Sequence, residues 1–140
     1  MTFRIRPNLG ALRPKFVDTF TVATGETLNL GDAVVQDATT GEISLAVADD
    51  FDTVKRLAGV VSQAGPHTGG DEVEVQFGGE LADALSGFSR GDRLFVTTTG
   101  TTGNTLSATP PSTDNHVHLC IGHVVNSTDL FINIDKPIEV

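Results

Sequence analysis

The sequence has no Trp and no Tyr, and a single Cys and a single Met among its 140 residues. One cysteine, Cys120, excludes an intrachain disulfide framework, so stability has to come from packing or assembly. Without indole or phenol rings the chain lacks the usual aromatic platform for stacking sugars, which weighs against a carbohydrate-binding or similar accessory binding module. Cations are scarce as well. Nine Lys and Arg face eighteen Asp and Glu, a net charge of −9, whereas a nucleic-acid surface needs clustered cations with few opposing carboxylates. No apolar run approaches the roughly 20 residues that span a bilayer as a helix. The basic residues near the N-terminus are followed by Pro7, Asn8, Gly10, Arg13 and Pro14, not by the apolar stretch of an export signal. These features predict neither a nucleic-acid partner nor a membrane.

What is present is a globular composition, 39% hydrophobic and built mainly from Val, Leu, Ile, Ala and eight Phe. A chain of this length buries roughly two-thirds of its unfolded surface and forms one domain. Residues 1–20 carry Pro7 and Pro14 and show no helical period, which predicts an extended N-terminal arm. The arm is basic, with Arg4, Arg6, Arg13 and Lys15 opposed only by Asp18, and Phe3, Ile5, Phe16 and Phe20 are its apolar anchors.

From residue 21 to 140, short β-rich runs alternate with Gly, Asp, Asn and Thr turns, the pattern of an all-β barrel or sandwich. Val73, Val75 and Phe77 alternate with Glu72, Glu74 and Gln76, and Leu130, Ile132 and Ile134 with Phe131, Asn133 and Asp135, which predicts two strands with one buried face each. Two short helices are expected, at 49–57, capped by Asp49 or Asp50, and at 80–85. The Thr/Gly-rich stretch 97–105 reads as a hairpin tip or mobile loop, and Gly69-Gly70 and Gly78-Gly79 as strand ends.

An internal repeat organises these pieces. Leu30-Gly31-Asp32-Ala33-Val34-Val35 leads to Leu45 as Arg90-Gly91-Asp92-Arg93-Leu94-Phe95-Val96 leads to Leu106. Leu57-Ala58-Gly59-Val60-Val61 is echoed by Cys120-Ile121-Gly122-His123-Val124-Val125, and the Val73 strand by the Leu130 strand. Glycine tolerates the positive φ of the turn, and the Asp side chain accepts from nearby backbone amides, so Gly-Asp starts a strand and needs no chemical role. The body is therefore expected to be two similar halves.

Gly31-Asp32, Gly59-Val60-Val61, Gly91-Asp92, Gly122-His123-Val124 and the segment before the second Gly-Asp, in this order and spacing, resemble the capsid decoration, or cement, proteins of tailed bacteriophages. The resemblance covers roughly residues 21–136. It implies a non-enzymatic β-barrel that sits on the outer surface of the virion capsid, binds the major capsid protein, groups as a homotrimer and uses no cofactor. The arm residues Phe3, Arg4, Ile5, Arg6, Arg13, Lys15 and Phe16 are then the candidates for capsid contact.

Other constellations have simpler readings. His116, His118 and Cys120 at two-residue spacing share a strand face opposite Val117, Leu119 and Ile121, but lack the further ligands of a zinc site, so packing or surface placement is expected. Asp49, Asp50 and Asp52 lack the later ligands of a calcium loop and read as a helix cap. Arg90-Gly91-Asp92 coincides with the repeated turn, Asn126-Ser127-Thr128 reads as a polar hairpin turn, and Asp71-Glu72 as a solvated turn. No Ser, His and acid combination has a nucleophile motif around it.

Overall fold

The computed structural model describes residues 15–139. Its strands are β1 (Phe16–Thr21), β2 (Thr27–Leu28), β3 (Ala33–Gln36), β4 (Ile43–Leu45), β5 (Leu57–Val61), β6 (His67–Thr68), β7 (Glu72–Leu81), β8 (Arg93–Val96), β9 (Leu106–Ser107), β10 (Val117–His118), β11 (Cys120–Val124), β12 (Leu130–Ile132) and β13 (Ile138–Glu139), with one helix, α1 (Phe51–Val54). A curled antiparallel sheet in the order β4-β3-β5-β7-β12-β11-β8-β9, with β1 added to β7, forms a half-barrel. The all-β expectation holds.

The two Gly-Asp turns repeat the same backbone bonds. Gly31 N–H donates to Val61 O at 2.9 Å and Gly91 N–H to Val124 O at 2.8 Å, while the amides of Val61 and Val124 return bonds to the carbonyls of Asp32 and Asp92, each 2.8 Å. The Asp32 carboxylate accepts from Asn29 N–H at 2.8 Å and that of Asp92 from Ser89 N–H at 2.9 Å. Strand pairing repeats too. Ala33 lies opposite Val60 and Val60 opposite Gln76, as Arg93 lies opposite His123 and His123 opposite Phe131. Gly59 and Gly122 occupy the same bulged site at φ +146° and +154°, where a Cβ would lie 2.3 Å from Gln76 O and 1.9 Å from Phe131 O respectively.

The halves do not pack symmetrically. Leu94, Val96, Ile121, Val124, Leu130 and Ile132 of the second half pack against Ala33, Val35 and Val60 of the first in one core cluster. The first half's opposite face, Val34, Val61, Val73 and Val75, forms a second cluster closed by Val22, Leu28 and Ile43. Among the described residues the first half is thus buried on both faces and the second on one.

Several local expectations are corrected. Helix α1 is confined to Phe51–Val54, with the Asp50 side chain accepting from Asp52 N–H, and Leu57 belongs to β5. Glu80–Leu85 is not helical. Glu80 and Leu81 continue β7, because Leu81, Glu80 and Gly79 pair with Leu130, Phe131 and Ile132. Gly78-Gly79 accordingly lies inside a strand, and at Gly78 a Cβ would come 2.8 Å from the Phe16 ring. The alternation of β7 breaks at its centre, with Val75 and Gln76 both buried and Phe77 46% exposed. A bulge in the pairing with β1 at this point, where Phe16 faces Gly78 and Val17 faces Gln76, shifts the faces by one residue. The Gln76 amide donates back to Gly78 O and Glu80 O at 2.9 and 3.0 Å.

The loop 97–105 is docked. Gly103 N–H and the Thr102 hydroxyl donate to the buried Asp32 carboxylate, and the Thr105 hydroxyl accepts from Ala33 N–H at 2.9 Å. The hairpin of the second half thereby ties down the turn of the first. Asp92 accepts only the Ser89 bond among the described residues, because the corresponding 37–42 hairpin is short and closes on itself, with the Asp37 carboxylate accepting from Thr39 N–H and Thr40 N–H.

Candidate functional site

Of the predicted capsid contacts, Phe3, Arg4, Ile5, Arg6 and Arg13 lie outside the described residues. Lys15 and Phe16 are described, and both are exposed. The last part of the predicted arm, from Phe16, belongs to β1 and pairs with β7 of its own chain. Strand β1 is exposed over its first four residues. Phe16 is 53% and Val17 41% exposed, and the Phe16 ring lies 6.0 Å from that of Phe77. The β7 bulge brings about this pairing by turning Phe77 outward beside the strand that follows the basic segment. The sequence pattern placed Phe77 in the core, so this aromatic patch carried no signal of its own.

A second exposed surface is the outer face of the second half. A row of cross-strand neighbours, Arg93, His123, Phe131 and Glu80, crosses β8, β11, β12 and β7. The His123 and Phe131 rings are 5.4 Å apart. The Arg93 guanidinium lies 5.7 Å over the Phe95 ring and 3.4 Å from the Asp135 carboxylate, and both partners of that ion pair are more than half exposed. Two shallow recesses of about 290 and 240 Å³ border the row, lined by Arg93, Cys120, His123 and Asp135 and by Phe95, His118, Lys136 and Ile138. Ile138 is 65% exposed.

The remaining candidates are absorbed by structure. The His118 ring contacts the Pro111 carbonyl, Cys120 is buried with its thiol directed at Gly122 O, and Val117, Leu119 and Ile121 are buried opposite them. Among the described residues no three His, Cys, Asp or Glu side chains gather as a metal site. Asp50 caps α1 and Asp52 pairs with Lys55 at 3.1 Å. Asp71 accepts from Thr68 N–H at 2.9 Å in its turn. Asn126 accepts from Asp129 N–H at 3.1 Å within the 126–129 turn, as expected for a polar hairpin turn. Two carboxylates are held below their ordinary pKa: Asp37 chiefly by the amides of Thr40 and Thr39, and Asp129 chiefly by that of Asp83. Both belong to turns.

The chain matches no protein-family model and none of the curated proteins.

Proposed function

We propose that this chain is a structural cement protein that binds the outside of an assembled tailed-phage head and stabilises the shell without a catalytic step, its copies grouped in threes. The observation that supports this reading most is the exposed Phe16, Val17 and Phe77 patch at the root of a segment carrying Arg4, Arg6, Arg13 and Lys15. Aromatic rings beside cations suit docking to a protein surface, where a few buried aromatic anchors supply most of the energy and surrounding charges steer encounter. Each subunit's contact can be weak, because a group of copies engaging several lattice sites gains effective concentration.

Co-sedimentation with purified heads, together with the temperature at which decorated heads rupture, tests the proposal. Wild-type protein should pellet with heads and raise the rupture temperature. Replacing Phe16 and Phe77 together by Ala should weaken binding by on the order of tenfold or more per ring. Wild-type protein that fails to pellet with any head preparation, or double-variant binding equal to wild type, would refute the assignment.

A further inference from the structure

Formal charge is divided unevenly along the chain. Residues 1–15 carry Arg4, Arg6, Arg13 and Lys15 and no carboxylate, whereas residues 16–89 carry thirteen Asp and Glu against only Lys55 and Arg56. The first half of the body is therefore its acidic part, and the cations that would balance it lie in the N-terminal segment. Within that segment Phe3-Arg4-Ile5-Arg6 alternates apolar and cationic residues with the period of a strand.

The first half offers such a strand a matching edge. Strand β1 pairs with β7 along one edge, and no described strand pairs with its other edge. Thr19 lies opposite Glu74 and Thr21 opposite Glu72, so these four share a face. Glu72 is exposed and has no partner among the described residues, and Glu74 accepts the Ser62 hydroxyl at 2.8 Å through one oxygen. A strand added outside β1 lies two strand spacings, about 10 Å, from β7. Arg4 and Arg6 are two residues apart, as Glu72 and Glu74 are, and from there they reach across the short Thr19 and Thr21 side chains to those carboxylates. Phe3 and Ile5 then fall on the opposite face, beside the half-buried Phe20.

Strand direction selects the copy that supplies the segment. Strand β1 starts beside Gly78 and ends beside Glu72, so residues 1–15 enter it at the end remote from the two carboxylates. Extended, as Pro7 and Pro14 predict, the segment carries Arg4 and Arg6 roughly 33–40 Å from Phe16, about the width of the whole body. We infer that residues 3–6 of one copy bind the open edge of β1 on the next copy, with Arg4 and Arg6 on its Glu72 and Glu74. Each copy gives one segment and accepts another, a head-to-tail contact that closes as a ring. The inference rests on the cement reading only for the number of copies in the ring, three, and it leaves the Phe16 and Phe77 patch to the head.

Sedimentation velocity of the purified full chain over a concentration series, with amide hydrogen exchange along residues 17–21, tests this. The wild type should be a trimer whose dissociation constant rises between about 0.05 and 0.5 M salt, because exposed charge pairs are screened. Arg4→Glu with Arg6→Glu, and Glu72→Arg with Glu74→Arg, should each weaken the trimer by on the order of tenfold or more. The chain with all four substitutions should recover most of the loss. Should circular dichroism show the 72 and 74 pair unfolded, Glu72→Arg alone takes its place, since that carboxylate holds no partner among the described residues. Protection of the β1 amides should appear with the trimer and vanish in R4E/R6E. A wild type that is monomeric at all concentrations overturns the inference, as does an R4E/R6E chain that associates as tightly as wild type or a fourfold variant no better than the double ones. Protection independent of concentration would put the segment on its own chain and overturns it as well. A trimer that responds as expected but never pellets with heads refutes the cement reading alone.

Discussion

Asp32 and Asp92 occupy equivalent turns but have unequal surroundings, and replacing each by Ala separates local turn chemistry from long-range tethering. Asp92 is half-buried and accepts one backbone bond, from Ser89, so Asp92→Ala should cost about 1 kcal/mol. Asp32 is 1% exposed and accepts from Asn29 N–H, Gly103 N–H and the Thr102 hydroxyl. Removing its carboxylate leaves three donors without that acceptor in a part-buried setting and frees the 97–105 loop, a loss of roughly 3–5 kcal/mol. For a chain of this size about 3 °C is lost per kcal/mol, so the melting temperature should fall by roughly 10–15 °C for Asp32→Ala and about 3 °C for Asp92→Ala. Urea titration of both variants, with limited proteolysis between Gly100 and Gly103, is the assay. Equal losses in the two variants, or a large loss for Asp32→Ala with the loop still protected from protease, would refute the idea that the loop is held by this carboxylate.

Two further outcomes follow from the repeat and the turns. Gly91→Ala meets no atom within 4 Å and should cost only the strain of φ +89°, about 1–2 kcal/mol, whereas Gly31→Ala at φ +91° also drives a Cβ to 2.4 Å from Ala84 O and should cost clearly more in chemical denaturation. Because Asp37 and Asp129 titrate below 3.8 in the folded chain, their contribution is present above that pH and is lost as pH falls through the lowered values. Asp37→Asn and Asp129→Asn should therefore flatten the acid limb of a plot of melting temperature against pH, while a limb as steep as wild type would show that other groups set it.

The repeated Gly-Asp turns were legible in the sequence because their chemistry is local: one glycine at positive φ and one carboxylate accepting an amide three residues back. The same holds for the succession of elements within each half, a Gly-Asp turn, a strand, a hairpin, a Gly-interrupted strand and a final strand. What local pattern could not supply were effects produced by a partner elsewhere in the chain. Residues 80–85 have helical spacing, yet β12 claims the backbone of Glu80 and Leu81. Phe77 has the hydrophobicity of a core residue, yet a bulge opposite β1 turns it to solvent and leaves Gln76 inside. Thr102 and Thr105 have ordinary loop composition, and their acceptor and donor lie about seventy residues away. The open face did leave a trace. Strand register sets Ala33 against Arg93, Val60 against His123 and Gln76 against Phe131, whereas the sequence repeat sets Phe131 against Glu74; of these the sequence showed the replacement of Ala33 and Val60 by a cation and an imidazole.

The closure of the first half's second face by Val22, Leu28 and Ile43 bears on how far any stacking of such halves can extend. Within the chain one half lies on the other as one tile on the next, and tiles of this kind could in principle add without limit, copy after copy, into a fibre. The segment from Val22 to Leu28 seals the starting tile, and the carboxylate of Glu26 engages the amide of Leu45 on the neighbouring edge strand, so the surface an incoming chain would need is already occupied. With that face filled in each copy, head-to-tail addition of one half onto the next finds no open apolar surface there.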